Sequence, residues 1–310
     1  MGDHRLKLIA PRLHHFMLVA RFGSVRRAAQ ALDVAPSSVS RMLSQLEADL
    51  GAPLFERVRQ RLELTSAGEM LLYHARASQS ELTRACAEIA DLSGGARGAV
   101  AIAVIESAAR GLLPDALAEF WRKHPAVAVE VKVESSQQSI ERVADGECDL
   151  ALAFDARPPR SARRLASAAL SLGVLSLPRS RFARHASLRL SDLAGELVVA
   201  SDPSLLASIA LDEALARAGV ELTRRASTNS IGLMVDLARR GHGLAIQTRL
   251  GVEPEIATGA LAFTPLRDPQ LRARELILIS RPAKDISEAA LHLGKLIGQR
   301  LERLSVAEAA

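Results

Sequence analysis

Apolar residues recur at helical spacing through the first fifty positions, in three short runs separated by turn residues. The first run spans residues 12–23 and closes at Gly23, after which Ser24 is placed to cap a second helix that runs to about Leu32. The third run spans residues 34–47 and has a proline at its head. Three short helices joined by tight turns predict a helix-turn-helix.

The third predicted helix has two unlike faces. At about 100° per residue, its apolar stripe consists of Val39, Met42, Leu43, Leu46 and Leu50. The opposite face is short and polar and carries one arginine; its members are Ser37, Ser38, Ser40, Arg41, Ser44, Gln45 and Ala48. An ordinary solvated face is usually rich in Glu and Lys, so this composition favours a face that contacts another molecule. A well-capped amphipathic helix is the alternative.

A hairpin is predicted directly after this helix. Gly51 ends the helix, and two short strands follow at residues 54–58 and 61–64. Alternate positions of the hairpin carry arginine, namely Arg57, Arg59 and Arg61. We expect this alternation to put all three side chains on one side of the ribbon. Such a cluster is typical of a phosphate-binding surface, the alternative being an edge strand protected by charge.

A long amphipathic helix follows the hairpin. Thr65 and Ser66 are placed to cap it, and it runs to about residue 92. A seven-residue repeat marks one stripe, at Leu71, Ser78, Ala85 and Leu92. A stripe of this length outside a compact core needs a partner, and the same helix of a second chain is the simplest one. Residues 93–98, SGGARG, predict a flexible linker and a domain boundary.

Strands and helices alternate after this boundary. Strands are predicted at 100–105, 127–133 and 149–154, with helices at 112–124 and 139–145. Their continuous apolar character favours a mostly parallel, covered sheet. Residues 155–164 are interpreted as a crossing to a second α/β unit. The elements predicted beyond it are strands at 196–200, 243–247 and 274–280 and helices at 204–218, 230–240 and 286–304. Two such lobes predict a clamp with a ligand cleft between them.

Composition sets the class of the protein but not its partner. The chain has 310 residues, of which 48% are hydrophobic, and a net charge of +5, so it can bury a large core and is not a disordered chain. The slight basic excess is compatible with a polyanionic partner without arguing for one. Since no signal peptide or membrane span is recognised, a cytoplasmic protein is expected.

Residues with catalytic or metal-binding potential are scattered. The eight histidines show no metal spacing, and no nucleophile elbow, phosphate loop or zinc-protease motif occurs. The sequence therefore predicts no catalytic residue, no metal site and no cofactor. The two cysteines, Cys86 and Cys148, are far apart and are expected to be packing residues in a reducing compartment.

Residues 13–72 resemble the LysR-type transcriptional regulators, and the resemblance extends more loosely over nearly the whole chain. Positions at fixed spacing carry it: Leu13, Phe16, Ser24, Ala28, Ala29, Leu32, Val39, Ser40, Leu46, Glu47, Leu50, Gly51, Leu54, Phe55, Arg57, Leu64, Thr65, Ala67 and Gly68. The stretches "GLLPDALAEFWRKHPAVAVEV", "DGECDLAL" and "TNSIGLMVDLARRGHGLAIQ" resemble the family's effector domain.

The resemblance implies an α+β multidomain architecture. Its parts are a winged helix-turn-helix DNA-binding domain at 8–67, a linker and dimerisation helix at 66–95 and an effector-binding domain at 97–305. The effector domain is expected to be a two-lobed α/β fold similar to periplasmic solute-binding proteins, with lobe I at about 98–160 and 268–305 and lobe II at about 165–265. The implied function is sequence-specific promoter binding, modulated by a small molecule between the lobes. The implied partners are promoter DNA, the effector and further copies of the chain in a homodimer or homotetramer, with RNA polymerase as another candidate.

One departure from the family falls at the head of the third helix. The family usually has a Ser-Gln pair where this chain has Ala35 and Pro36. Ala35 lacks an N-cap oxygen, and the missing Gln removes a side chain suited to adenine. Pro36 fits the first helical position. DNA binding is still implied, while the family's base preference at this position is left open.

Helix-turn-helix geometry brings the N-terminal end of this helix to base edges. The DNA-reading candidates are therefore Ser37, Ser38, Ser40 and Arg41, with a packing role as the alternative for Ser40. Arg26 and Arg27, near the start of the second helix, are candidates for phosphate contact or for a solvated face. The three hairpin arginines Arg57, Arg59 and Arg61 complete the set.

Strand ends that face the cleft supply the effector-binding candidates. They are Ser107, Ala108, Ser135, Phe154, Ser201 and Gln247. Ser107 matches the family's hydroxyl position, at a helix N-terminus whose free N–H groups favour an anion such as an organic acid. Glu106 beside it suits a carboxylate ligand only if its side chain points away. For each strand end alone, a structural cap is an equal alternative.

Two other functions are compatible with parts of this pattern. A solute-binding module could use the N-terminal helices to contact a protein, and an enzyme could use the α/β scaffold. The sequence does not identify the effector, the operator or the sign of regulation.

Overall fold

Contacts within the computed structural model divide the chain after Ser93, at the end of the long helix. The structure describes residues 10–58, 61–92, 99–158, 162–202, 206–269 and 271–309. The predicted linker at 93–98 and Arg59 lie outside the described residues, as do the side chains of Arg61 and Cys86. Among the described helices, none is both long enough and apolar enough to span a membrane.

Turn residues set the helix ends of the first unit, Met1–Ser93. Its elements are α1 (Pro11–Phe22), α2 (Val25–Leu32), α3 (Pro36–Leu50), β1 (Phe55–Val58), β2 (Arg61–Leu64) and α4 (Ser66–Leu92). Gly23 and Gly51 end α1 and α3 at φ values of 58° and 68°, a left-handed conformation that glycine adopts without strain. The side chain of Ser24 caps α2 by accepting the Arg27 N–H.

The helices of this unit enclose a small core and hold the hairpin against it. The buried members are Phe16, Val19, Ala28, Ala29, Val39, Leu43, Leu54 and Leu72. Glu47 on α3 accepts the N–H groups of Leu54 at 2.7 Å and Phe55 at 3.3 Å, which fixes the entry to β1. Thr65 caps α4 by accepting the Gly68 N–H at 3.1 Å, as the sequence predicts.

Part of the predicted pairing stripe of α4 is exposed within the single chain. Ser78 and Ala85 are exposed and Leu71 is half-buried. Met70 and Tyr73 on the same helix are 66% and 64% exposed. Pairing of α4 with a second chain stays a prediction.

A mixed sheet forms the first lobe of the second unit, Gly94–Ala310. The lobe comprises β3 (Ala99–Val104), α5 (Glu106–Arg110), α6 (Leu112–Lys123), β4 (Ala128–Val133), α7 (Ser136–Ala144), β5 (Leu150–Phe154), β6 (Arg163–Leu170), β12 (Arg274–Ser280) and α11 (Glu288–Ala309). The strand order is β4-β3-β5-β12-β6, in which β4, β3 and β5 are parallel and β12 is antiparallel to both of its neighbours. Its fully buried strands pack against α6 and α11.

The second lobe is built around another mixed sheet. Its elements are β7 (Leu172–Ser176), β8 (Leu197–Ser201), α8 (Leu206–Ala218), β9 (Thr223–Thr228), α9 (Ile231–Arg239), β10 (Leu244–Thr248), α10 (Glu253–Ala257) and β11 (Ala262–Pro265). The strand order is β11-β7-β10-β8-β9, with β7 antiparallel to β10 and β11. The mostly parallel sheet predicted for the first lobe is therefore a mixed sheet, as is the sheet of the second lobe.

The first crossing between the lobes lies later in the chain than the sequence interpretation places it. The sequence interpretation places it at residues 155–164 and starts lobe II at 165. Instead, β6 pairs antiparallel with β12 through Arg163–Leu170, and the chain passes to β7 at Ser171. The eight-residue strand β6 escaped detection because it begins with two arginines on an exposed stretch.

Candidate functional site

The polar face predicted on α3 is exposed. Ser37, Ser38, Ser40 and Arg41 are all exposed, whereas Val39 and Leu43 lie in the core of the unit. Pro36 is the first residue of α3, and Ala35 at the N-cap makes no side-chain hydrogen bond, as the sequence implies. The described geometry thus leaves the N-terminal half of this face available to a partner.

The register of the hairpin separates arginine positions that the sequence prediction puts on one side. Arg57 pairs with Leu62, and Val58 pairs with Arg61. Directly opposed residues of an antiparallel ladder share a face, so position 61 lies on the face of Val58 and Arg57 lies on the other. The prediction was wrong for Arg57 and Arg61, because alternation holds along one strand while the register between β1 and β2 pairs positions of opposite parity. Arg57 is exposed.

Arg26 and Arg27 are exposed at the start of α2. The guanidinium carbon of Arg27 lies 5.4 Å from the centre of the Phe22 ring, a cation–π contact that orients the side chain. Phosphate contact and a solvated face both stay predictions for this pair.

A cavity of about 790 Å³ lies between the two lobes of the second unit. Predicted effector residues that line it are Ser107, Ser135, Phe154, Ser201 and Gln247. Ala108 does not join them, because its fully buried side chain packs into the core of the first lobe. Ser135 also caps α7 in a capping box with Gln138, so the structural cap that was the alternative for this residue is present.

Glu106 crosses the cavity to the other lobe. Its carboxylate accepts the N–H groups of Ile231 at 2.8 Å and Gly232 at 3.0 Å, in the first turn of α9, and the hydroxyl of Ser230 at 3.3 Å. The first N–H groups of a helix lack intrahelical partners and attract negative charge. Glu106 therefore acts as an internal anion that ties α5 of the first lobe to α9 of the second.

A second contact joins the lobes beside Glu106. Arg110 donates to the Gly251 carbonyl at 3.0 Å and to Glu255 at 2.8 Å. Gly251 has a φ of 85°, and a Cβ there would lie 2.7 Å from the Ser107 carbonyl oxygen. Glycine is required at this position by both the conformation and the close approach. Glu253 accepts the Gly251 N–H at 2.7 Å, and burial raises the pKa of this carboxyl group.

The anion site predicted at the N-terminus of α5 stays a prediction. This helix has five residues, and its first side chain, Glu106, points across the cleft to α9. A cationic side chain also lines the cavity. Arg274, the first residue of β12, lines the cavity and is only 4% exposed.

Arg274 is held by residues at the end of β5. Its Nε donates to Asp155, which also accepts the Glu275 N–H at 2.8 Å. The Arg274 guanidinium carbon lies 5.2 Å from the centre of the Phe154 ring. Its buried Nη1 has no hydrogen-bond partner among the described residues. Sequence reasoning missed this residue because Asp155 and Arg274 are over one hundred positions apart.

Cys148 is a core residue, as the sequence predicts. Its side chain is 1% exposed and packs between the first sheet and α7. Burial raises the pKa of its thiol to about 12, which keeps it protonated and unreactive at neutral pH.

Comparisons with known proteins agree along both units. The model of the family described as "Bacterial regulatory helix-turn-helix protein, lysR family" matches residues 11–69, and that of "LysR substrate binding domain" matches residues 93–302. A probable RuBisCO transcriptional regulator of Trichormus variabilis is 28% identical over 278 residues, covering 88% of this chain and 82% of the relative. The regulator CbbR of Xanthobacter flavus is 29% identical over 252 residues, covering 79% and 74%. The structure of full-length OxyR from Pseudomonas aeruginosa has a TM-score of 0.61 at 18% identity, covering 92% of this chain and 93% of the other.

Proposed function

The chain belongs to the LysR family of bacterial transcriptional regulators, and we propose that it reads its operator with the exposed face of α3 under the control of an effector held in the cavity. The family consists of transcriptional regulators with an effector-binding domain, so this protein is a regulator and not an enzyme. Regulators of this family bind DNA and small-molecule effectors and form oligomers. For this chain we propose assembly through α4, contact with RNA polymerase at the promoter, and a cytoplasmic location beside the DNA.

The division of α3 into a buried and an exposed face carries the assignment of the reading surface. Val39 and Leu43 anchor the helix in the core, which leaves Ser37, Ser38 and Arg41 exposed on the N-terminal half. This half is the part of a recognition helix that reaches base edges. Serine hydroxyls pair with several bases, and arginine donates in bidentate fashion to guanine.

The cavity supports the effector role. Its volume of about 790 Å³ falls within the range of small-molecule sites, and residues from both lobes line it. Because Glu106 lines the cavity and already joins the lobes, a ligand that alters its contact with α9 changes the relation between the lobes. We propose that this change is transmitted to DNA binding.

A selection experiment tests the reading surface. The full-length protein selects duplexes from a random library, and fluorescence anisotropy then measures affinity for the selected duplex over a salt series. Affinity should fall steeply with salt, with a logarithmic slope of about 0.9 per phosphate contact. Arg41→Ala should weaken binding about 5- to 150-fold, the equivalent of about 1–3 kcal/mol for one bidentate base contact.

Arg122→Ala is the matched control, since Arg122 is an exposed arginine on α6 of the second unit. It should leave the affinity unchanged within about twofold. An equal loss of affinity in the two variants would mean that Arg41 contributes to DNA binding only through net charge. Failure of the wild-type protein to select any duplex at low salt would refute the proposed function and favour a protein-binding role for the N-terminal helices.

A further inference from the structure

We propose that His124 and His292 form a binding site for a divalent transition metal ion of the Cu²⁺ or Ni²⁺ type on the surface of the first lobe. His124 is the C-cap residue of α6, and His292 lies in the second turn of α11. The two residues are 168 positions apart, which explains why the spacing of histidines in the sequence predicts no metal site. The inference does not depend on the proposed function.

The two imidazole rings face each other through ring nitrogens. His124 Nε2 lies 2.8 Å from His292 Nδ1, a hydrogen bond in which one proton is shared between the two nitrogens. Both residues are half-buried, so dissolved ions reach the pair. A metal ion can replace the shared proton, because the ring that carries it has a second tautomer with the proton on its other nitrogen. Both facing lone pairs then bind the ion, and two neutral imidazoles release no proton.

The distance between these nitrogens selects the coordination geometry. Bonds of about 2.0–2.1 Å from one ion to two nitrogens 2.8 Å apart enclose an angle of about 84–89°. Neighbouring ligands of a square-planar or octahedral ion lie about 90° apart, whereas tetrahedral Zn²⁺ needs about 109° and nitrogens about 3.3 Å apart. Imidazole ligands at right angles are typical of Cu²⁺ and Ni²⁺. In the part of the chain that the structure describes, no group of three or more His, Cys, Asp or Glu could hold a metal ion, so water would complete the coordination.

Packing around His124 orders the ligands before an ion binds. The His124 ring stacks on the buried Phe120 ring, with centroids 4.8 Å apart and planes 24° from parallel. The His124 N–H donates to the Phe120 carbonyl at 3.0 Å, and the His124 carbonyl accepts the Val127 N–H at 3.1 Å. His292 is held by α11, where its neighbour Leu293 is fully buried. Ligands that are already ordered lose little conformational entropy on binding.

The charged groups around the pair set the strength of the site. Lys123 and Lys295 lie close enough to repel a cation, and Glu119 lies close enough to attract one. Both lysines are exposed, so salt screens their charge. Glu119 is shared with Arg300, whose Nη2 lies 3.1 Å from its carboxylate. We therefore expect an affinity below that of a closed structural metal site.

An ion bound by both histidines would link α6 to α11. These two helices pack against the buried strands of the first lobe. An ion that binds only the folded arrangement stabilises it by mass action. The site would thus make the stability of the second unit depend on the metal concentration.

Quenching of Trp121 fluorescence tests the site in the full-length protein without an affinity tag. Trp121 is the only tryptophan of the chain, and it precedes His124 by three positions, about one turn of helix. Its indole N–H donates to the Val127 carbonyl at 3.0 Å, which keeps it beside the segment that carries His124. Because Cu²⁺ quenches a nearby indole, the fluorescence should fall along a saturating curve as free Cu²⁺, fixed by a glycine buffer, is raised. Metal bound far from Trp121 does not enter this measurement.

Variants connect the quenching to the two imidazoles. His124→Gln and His292→Gln should each raise the free Cu²⁺ concentration at half-quenching at least tenfold, because each leaves one ligand. His185→Gln is the matched control, since His185 is an exposed histidine of the second lobe, and it should be quenched as the wild type is. Saturating Cu²⁺ should also raise the apparent Tm of the wild type but not that of His292→Gln.

Three results would overturn the inference. They are the absence of saturable quenching in the wild type, an unchanged half-quenching concentration in the two Gln variants, and an equal change in His185→Gln. If one Gln variant gives no cooperative unfolding transition, the other decides, because loss of either imidazole removes the pair.

Discussion

Replacing Glu106 with glutamine should weaken the joint between the lobes. Oε1 accepts from Ser230 and Gly232, and Oε2 accepts from the Ile231 N–H at 2.8 Å. In Glu106→Gln one oxygen remains, but an amide N–H₂ faces a backbone donor. One hydrogen bond to a charged group is lost, at about 1.5–3 kcal/mol, and the interaction with the α9 dipole is lost at about 0.3–1 kcal/mol.

The expected destabilisation of the second unit is therefore about 2–3 kcal/mol, because the N–H of Ile231 stays close to the cavity and regains part of its solvation. For a unit of this size, that corresponds to a fall in Tm of about 5–10 °C. Trp121 on α6 is the only tryptophan of the chain, so its fluorescence follows the unfolding of this unit alone.

Glu130→Gln is the matched control for Glu106→Gln. Glu130 lies on β4 of the same lobe, its side chain is 60% exposed, and it pairs with Lys132 at 3.4 Å. Loss of such a surface charge should change stability by less than about 0.5 kcal/mol. If the two variants unfold at the same temperature, the contact between Glu106 and α9 does not stabilise the closed lobes and the reasoning fails.

Three further predictions concern the same unit. Gly251→Ala should lower the Tm by more than Gly259→Ala does, because both residues have a positive φ but only at Gly251 would the new Cβ meet the Ser107 carbonyl oxygen; equal losses in Trp121 fluorescence melts would contradict the clash. Burial raises the pKa of Glu253 above its ordinary 4.5, so the folded state binds this proton more tightly than the unfolded state; its contribution to stability is greatest below pH 4.5 and is lost as pH rises through the raised pKa. Glu253→Gln keeps an acceptor for the Gly251 N–H and should remove that part of the pH dependence, and melts from about pH 4 to 8 that stay parallel to the wild type would speak against it. Cys148 should resist iodoacetamide in the native protein at pH 8 and react after unfolding in urea, and peptide mass spectrometry that finds it labelled in the native state would refute its burial.

Local signals were sufficient to predict the first unit. Gly23, Ser24 and Gly51 act within a few residues of their own positions, and each ends or caps a helix as predicted. The family comparisons confirm the regulator and its two parts. The hairpin shows where local reasoning stops, because the pairing of Val58 with Arg61 is set by the register between the two strands and not by the alternation of residues along one of them.

The effector cavity was only partly predictable, and the reason lies in strand direction. The sequence search took candidates from the carboxyl ends of strands, which is correct for parallel strands because those ends share one edge of the sheet. Both sheets contain antiparallel strands, and these bring their first residues to the same edge. Leu172 at the start of β7 pairs with Thr248 at the end of β10, and both line the cavity.

Arg274 follows the same rule in the first lobe. Because β12 runs antiparallel to β5, its first residue arrives beside the residues that end β5, which places the guanidinium over Phe154 and next to Asp155. In the sequence, Arg274 is the first residue of the strand segment "RELILIS". It becomes a candidate once the first residues of antiparallel strands are considered together with the last residues of parallel ones. The direction of the Glu106 side chain could not be predicted for a related reason. Its partners on α9 follow it by more than 120 positions and belong to the other lobe. The charge pattern of the cavity is thus a property of the sheet topology, because its charged residues Glu106 and Arg274 have partners that are distant in sequence.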